Sequence, residues 1–162
     1  MRIAIVADTH MPRGARRLPS VCLHHMRDAD LILHVGDFMT AAVLGEIESI
    51  GPPVAAVYGN VDDEALRHAL PEERVLEIAG ARVGLVHDAG PARGRLGRLR
   101  RRFPDADAAI FGHSHLPLHE REGDFQIFNP GSPTERRRAP HRSMGLATVE
   151  QGEIRFEHVP ID

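Results

Sequence analysis

Five short apolar runs, Ile3–Ala7, Leu31–Val35, Val54–Tyr58, Val83–Val86 and Ala108–Phe111, punctuate the first two thirds of the chain. Runs this short and this continuous read as strands buried on both faces, which requires helices on either side of a sheet. Segments able to form such helices lie around them, at about Pro19–Arg27, Thr40–Ser49, Asp63–Ala69 and Gly94–Phe103. Thr40 and Asp63 stand where N-caps belong, their side-chain oxygens ready to accept from the first turn. The alternation predicts an α/β core with parallel strands.

Two segments depart from that rhythm. Arg74–Ile78 and Arg82–Val86 flank Ala79-Gly80-Ala81 and predict a hairpin. Beyond His115 there are only short strands, at Leu118–Arg121, Phe125–Phe128, Leu146–Val149 and Ile154–His158, with turns at Gly123-Asp124 and Gln151-Gly152. An antiparallel portion therefore joins the α/β portion. Gly131–Ser143, rich in Pro, Arg and Ser, reads as a mobile loop. No linker divides the chain, so residues 1–162 are expected to form a single domain.

The residues at the end of each apolar run carry the chemistry. The first run leads into Asp8-Thr9-His10, the second into Gly36-Asp37, the third into Gly59-Asn60, the fourth into His87 and the fifth into Gly112-His113-Ser114-His115. Ligands of open α/β sheets bind at the carboxyl ends of the strands, so parallel neighbouring strands would gather all seven side chains on one rim. Imidazoles, carboxylates and one amide oxygen suit manganese, iron, zinc or nickel better than calcium. Seven ligands are too many for one ion with an open position and suit two ions that share an Asp. Glycines before the ligands allow sharp turns and close backbone approach.

This ordered set resembles the calcineurin-like metallophosphoesterases, whose signature runs Asp-x-His, Gly-Asp, Gly-Asn, a lone His, then Gly-His-x-His. Gly36-Asp37-Phe38 and Asn129-Pro130-Gly131-Ser132 make the resemblance strongest to the small single-domain phosphodiesterases of bacteria and archaea. The resemblance implies two facing mixed β-sheets flanked by helices. It implies one divalent ion on Asp8, His10, Asp37 and His115, and a second on Asp37, Asn60, His87 and His113, with Asp37 shared. Manganese is the expected metal, with nickel, iron, zinc and magnesium as alternatives. The implied reaction is hydrolysis of a small phosphodiester or nucleotide-like substrate by in-line attack of a hydroxide held between the ions, with Asp37, Asn60 and His113 closest to the chemistry.

Two departures from the wider family stand out. Many members have a His directly after the Asn of Gly-Asn, where this chain has Val61 and then Asp62. Asp62, beside two cations, is expected to titrate below the usual carboxylate range and to orient a neighbour rather than act as an acid. The lone His is often succeeded by Gly, and here by Asp88, a residue tolerant of turns. His34, inside an apolar run, reads as a hydrogen-bonded core histidine. Arg136–Arg138 come after the Asn-Pro-Gly-Ser segment, and Arg137 is a candidate substrate contact. The Arg run from Arg93 to Arg102 reads as the solvated face of a helix whose buried stripe is Leu96, Leu99 and Phe103.

Two rival functions have sequence support. The eukaryotic retromer complex contains a scaffold subunit of this fold, and Asp8-Thr9-His10-Met11-Pro12 is similar to its opening segment; that subunit's motifs are incomplete, whereas all seven positions are filled here. A nuclease is the other, but a net charge of −3 gives no strongly basic footprint for nucleic acid, and all twenty basic residues are Arg, which weakens any count of Arg as a signal. The expected partner is a small phosphoester, with neither membrane nor nucleic acid, and with homo-oligomerisation left open. One cysteine, Cys22, and an N-terminal apolar stretch of about six residues, too short for a signal peptide, fit a cytoplasmic location.

Overall fold

Ten strands divide equally between two sheets. The structure, a computed structural model, describes residues 1–162. The first sheet has the order β10-β9-β1-β2-β3, built from Glu153–Pro160, Ser143–Glu150, Arg2–Val6, Leu31–His34 and Val54–Ala56. The second has the order β4-β5-β6-β8-β7, from Glu73–Ile78, Ala81–Val86, Ala108–Ile110, Phe125–Asn129 and Leu118–Glu122. Both are mixed: β1, β2 and β3 are parallel, as are β5, β6 and β8, while β9, β10, β4 and β7 add antiparallel edges.

The apolar runs are continuous because both faces of each sheet are covered. In β1, Ile3 and Ile5 point into the core between the sheets, where they join Leu33, Leu85, Ile110 and Phe128. Ala4 and Val6 point the other way, against Cys22 and Met26 of α1 (Ser20–Arg27), Val43 and Ile47 of α2 (Ala41–Glu48) and Leu66 of α3 (Glu64–Ala69). The outer face of the second sheet packs against Leu99 of α4 (Arg95–Arg102) and Phe103 just beyond it. The order is helices, sheet, sheet, helix.

The expected single rim of neighbouring parallel strands is corrected here. The ligand-bearing strands β1, β2 and β3 lie in one sheet, β5 and β6 in the other. Periodicity within a strand says which faces are buried, but not which sheet receives the strand. The hairpin turn between β4 and β5 is also tighter than expected. It consists of Ala79 and Gly80, both with positive φ (46° and 86°), and Ala81 already belongs to β5. Gln151 and Gly152, at φ 50° and 83°, turn β9 into β10 in the same way.

Thr40 does not cap α2 with its side chain. Asp63 serves two helices instead: Oδ1 accepts from Leu66 N at 2.9 Å, and Oδ2 accepts from Ala41 N at 3.2 Å. One carboxylate thus joins the starts of α2 and α3. Asp63→Ala is expected to destabilise the protein by about 1–3 kcal/mol, the sum of one strong and one weak cap, without changing metal content. Chemical denaturation of parent and variant measures the difference.

The Arg run is less solvated than expected. Arg98 donates to the carbonyls of Ala89 and Pro91 and so ties down the loop before α4. Arg95 and Arg100 lie over the rings of Phe111 and Phe125, and Arg102 pairs with Glu73. These side chains hold the helix to its sheet and loop. No helix is long and apolar enough to cross a membrane.

Candidate metal centre

Both sheets direct the carboxyl ends of their parallel strands to the same end of the molecule. Loops after β1, β2 and β3 carry Asp8, His10, Asp37 and Asn60; loops after β5 and β6 carry His87, His113 and His115. Backbone bonds knit the loops together: Asp8 N donates to Gly36 O, His10 N to Asp37 O, and Gly112 N to His87 O. Across the sheets, His113 N donates to the Asp8 carboxylate at 3.0 and 3.2 Å.

The seven side chains form two groups. Potential ligand atoms of Asp8, His10 and His115 lie within 4.8 Å of one another, and so do those of Asp37, His87 and His113. Asp37 Oδ2 stands between the groups, 3.3 Å from His10 Nε2 and 3.2 Å from His87 Nε2. Asn60 Oδ1 is 3.1 Å from both His87 Nε2 and His113 Nδ1. The histidine tautomers are set from behind. His87 Nδ1 donates to Val35 O at 2.7 Å and His115 Nδ1 donates to Glu135 O at 3.0 Å, leaving both Nε2 atoms turned toward the site.

Backbone conformation marks the same residues. Asp8, His10, Asp37, His113 and His115 all have positive φ, between 44° and 69°. A non-glycine residue held there costs on the order of 1–3 kcal/mol, and such residues cluster where function demands a fixed side chain. Glycines supply space as well as turning freedom. A Cβ on Gly36, whose own φ is 94°, would come 2.7 Å from His87 Nδ1, and one on Gly59 would come 2.2 Å from Asp37 Oδ1.

Electrostatics favour cations. Burial pushes the Asp8 carboxyl up to about 7, with the nearby Asp37 charge adding to the rise, and this outweighs the pull of His87 and His10. Burial also opposes the charges of Asp37 and His87, but their mutual contact prevails. The Asp37 carboxyl is held well below the usual range, and His87 rises to about 9 with help from Asp8. Burial lowers His115 to about 4, so its imidazole is neutral. The buried nitrogens Nδ1 and Nε2 of His10 and Nε2 of His115 have no hydrogen-bond partner. Buried polar atoms without partners cost about 1–3 kcal/mol each. A divalent cation before the two Nε2 atoms would satisfy them and favour the charged form of the buried Asp8 carboxyl, so the donor set fits such an ion.

The neighbouring candidates fall into place around this set. Asp62 is buried, and its oxygens accept from the backbone N–H groups of Asp37 (3.0 Å), Met39 (2.8 Å) and Gly59 (2.7 Å). It thus ties the β2 and β3 loops together. Burial raises its carboxyl above the ordinary range in the protein without ions, the reverse of the lowering expected beside cations; the three N–H donors resist that rise only in part. Asp88 Oδ1 accepts from Gly90 N, closing a turn of its own. His34 is a buried core residue: Nδ1 accepts from Gly36 N, Nε2 donates to Thr9 Oγ1, and the ring stacks on Phe38 at 3.5 Å. Burial lowers it to about 3. Arg137 is on the surface, 3.6 Å from Glu135.

The segment expected to be a mobile loop starts as a fastened strap. Ser132 Oγ donates to Asp8 O at 2.8 Å and Thr134 Oγ1 donates to Thr9 O at 2.7 Å. Asn129 Nδ2 donates to Gly112 O at 3.0 Å. The Asn-Pro-Gly-Ser stretch could have pointed to Asn129 and Ser132 as supports; nothing in the sequence pointed to Glu135.

Comparison with known proteins agrees with this geometry. The family model of the calcineurin-like phosphoesterase superfamily domain matches residues 1–152. A probable metallophosphoesterase of Methanothermobacter thermautotrophicus is 39% identical over 83% of this chain and 78% of its own length. A phosphodiesterase of Methanocaldococcus jannaschii is 26% identical over 81% of this chain and 83% of its own. Among solved structures, Vps29 of Entamoeba histolytica complexed with zinc superposes with a TM-score of 0.79 at 23% identity, covering 100% of both chains. An archaeal phosphodiesterase gives 0.74 at 21%, covering 98% of this chain and 100% of its own; these two likenesses show the fold. From the family match over most of its length and the two ligand groups at the shared end of its sheets, the chain belongs to the calcineurin-like phosphoesterase superfamily.

Proposed function

We propose that this protein is a two-ion phosphodiesterase acting on a small phosphodiester or nucleotide-like substrate, with manganese as its working metal. The observation that carries the reading is the position of Asp37 Oδ2, within 3.3 Å of a histidine nitrogen from each ligand group. Asp8, His10, Asp37 and His115 would hold one divalent ion, and Asp37, Asn60, His87 and His113 the other. When bound, the ions supply Lewis acidity, which lowers the pKa of water and neutralises charge growing on the phosphoryl oxygens.

The chain itself orients and confines. Val35 O and Glu135 O hold the His87 and His115 rings in the tautomer that presents Nε2. Asn60 and His113 form the exposed side of the centre, where a phosphoryl group would enter. A polar cavity of about 340 Å³ opens beside Asn60 and His87, with Tyr58, Arg67, Glu72 and Arg102 in its walls, and would receive the rest of the ester. Arg137 is the candidate for a further phosphate contact. The same reading takes residues 1–162 as one domain working in the cytoplasm.

Neither Val61 nor Asp62, the two residues after Asn60, is placed to protonate the leaving group. Val61 has no proton to give, and both Asp62 oxygens already accept backbone N–H groups. General-acid help is typically worth 10²–10⁴-fold. Without it, the rate should depend steeply on leaving-group basicity. The test strips the metal, reloads manganese, nickel, zinc or magnesium, and assays aryl phosphodiesters of graded phenol pKa beside the matching monoesters. A steep slope with diesters preferred is expected. A flat profile would place an acid in the site that this reading lacks. Two bound ions with no turnover of any ester would favour the scaffold alternative, to which the Vps29 likeness lends its shape.

A further inference from the structure

Beside the first ligand group, two buried atoms without hydrogen-bond partners lie 4.0 Å apart: His10 Nδ1 and Glu135 Oε2. Glu135 Oε2 is also 3.7 Å from His115 Nδ1, but that nitrogen already donates to the Glu135 carbonyl at 3.0 Å. The other oxygen of Glu135 accepts from Arg16 Nη2 at 3.1 Å, and Arg137 Nε stands 3.6 Å from Oε2. Through Thr134 and Ser132, the strap that carries Glu135 is fastened to the carbonyls of Thr9 and Asp8. The carboxylate is therefore anchored to the same tripeptide that bears Asp8 and His10.

The chemistry of an imidazole ligand gives this placement a purpose. His10 Nε2 faces Asp37 Oδ2 and Asp8 Oδ1, the side on which an ion would sit. A neutral imidazole that ligates through Nε2 carries its proton on Nδ1, and that proton needs an acceptor. His87 and His115 have backbone carbonyls for the purpose. His10 has none, and the carboxylate oxygen facing its Nδ1 is equally unpartnered. A carboxylate acceptor makes the ring a stronger ligand and fixes its orientation; such partners typically change metal affinity by 10–100-fold.

We infer that Glu135 is a positioning residue for the ion of the Asp8–His10–His115 group, its carboxylate accepting the hydrogen bond of His10 Nδ1–H. The inference rests on the two-ion function proposed for the centre.

Calorimetric titration of the metal-stripped full chain with manganese tests it. The parent is expected to show two dissociation constants. In Glu135→Leu one should weaken about 10–100-fold, with the other within about 3-fold of the parent. Glu135→Gln restores an acceptor without the charge and should recover part of the loss. Arg16→Met cuts the strap's ion pair but leaves the carboxylate beside His10, and should bind both ions within about 3-fold of the parent. The thermal midpoint of ion-free Glu135→Gln should match the parent, so that this variant carries the test if Glu135→Leu does not fold. Parent-like affinities in Glu135→Leu, or in Glu135→Gln where it stands in, would overturn the inference. So would a loss in Arg16→Met as large as that in Glu135→Leu, since the role would then be fastening alone. A parent that binds a single ion would instead overturn the two-ion function, and the effect of Glu135 on that ion would still decide its role.

Discussion

Asp37→Ala is expected to remove both ions and to lower phosphodiester hydrolysis by at least about 10³-fold, since single electrostatic donors in active sites already supply 10²–10³-fold. The expectation comes from position. Asp37 Oδ2 lies 3.3 Å from His10 Nε2 and 3.2 Å from His87 Nε2, so an ion held by either proposed group would have this oxygen within reach. Its other oxygen accepts from Val61 N at 3.0 Å, which fixes the carboxylate plane and the start of the segment after Asn60. Alanine would lose that bond and occupy a backbone conformation, φ 62°, that suits Asp and Asn better. Asp37→Asn is therefore the cleaner companion. It keeps the size, the turn and the Val61 bond, and replaces the charged Oδ2 with an amide nitrogen that cannot ligate. Elemental analysis after gel filtration gives ions per chain; circular dichroism shows whether each variant is folded. One tightly held ion surviving in folded Asp37→Ala would mean that Asp37 serves a single ion. By comparison, His113→Ala should lose only the second ion and remain stable, because His113 is exposed and its ring contacts Asn60 at the rim.

The candidate ligands could be singled out in the sequence because each combines a residue type with a local signal, the end of an apolar run, and the fold brings all seven to one end of the molecule. That signal survives in one dimension. How the strands divide between sheets does not, since Ile3–Ala7 and Ala108–Phe111 look alike as buried runs although one lies in each sheet. Supporting roles that depend on distant partners were likewise invisible. Asp63 stands before its own helix and predictably caps it, but its bond to Ala41 N spans 22 positions. It displaces Thr40 from a task that local sequence would give to Thr40. The Arg residues of α4 read as a solvated face because charge alone cannot show that Arg98 reaches back to carbonyls or that Arg95 covers Phe111. Glu135 lies 125 positions from His10 and 20 from His115, in a stretch without periodicity, and only the folded strap brings it to them. Left-handed backbone at five of the seven candidate ligands has no counterpart in the sequence pattern. Asp and His tolerate it better than branched residues do, but tolerance is not a signal.

Gly59→Ala should disable the centre while leaving all seven ligands in the chain. Unlike Gly36, Gly59 is not needed for a left-handed turn; what matters is space. A Cβ there would meet Asp37 Oδ1 at 2.2 Å, Asp37 N at 2.5 Å and Asp37 Cγ at 2.9 Å. Two of those atoms belong to the short Asp37 side chain and one to its backbone, so no flexible side-chain end can yield. Separation of the loops is opposed by Asp62, whose Oδ2 accepts from both Gly59 N at 2.7 Å and Asp37 N at 3.0 Å. The variant must either break that link or tilt the Asp37 carboxylate away from both ligand groups. Overpacking of this kind costs about 1–3 kcal/mol. A displacement near 1 Å in a reacting constellation costs about 10²-fold in rate. We expect Gly59→Ala to fold with a lowered thermal midpoint, to lose the second ion at manganese concentrations that saturate the parent, and to hydrolyse diesters at least about 10²-fold more slowly. Gly45→Ala is the control. Gly45 lies on the exposed face of α2 with no atom within 4 Å of its added Cβ, and alanine there should be neutral or stabilising by up to about 1 kcal/mol. Full ion content and parent turnover in Gly59→Ala would show that the β2 and β3 loops separate without cost, and that the fit of Gly59 against Asp37 has no part in building the site.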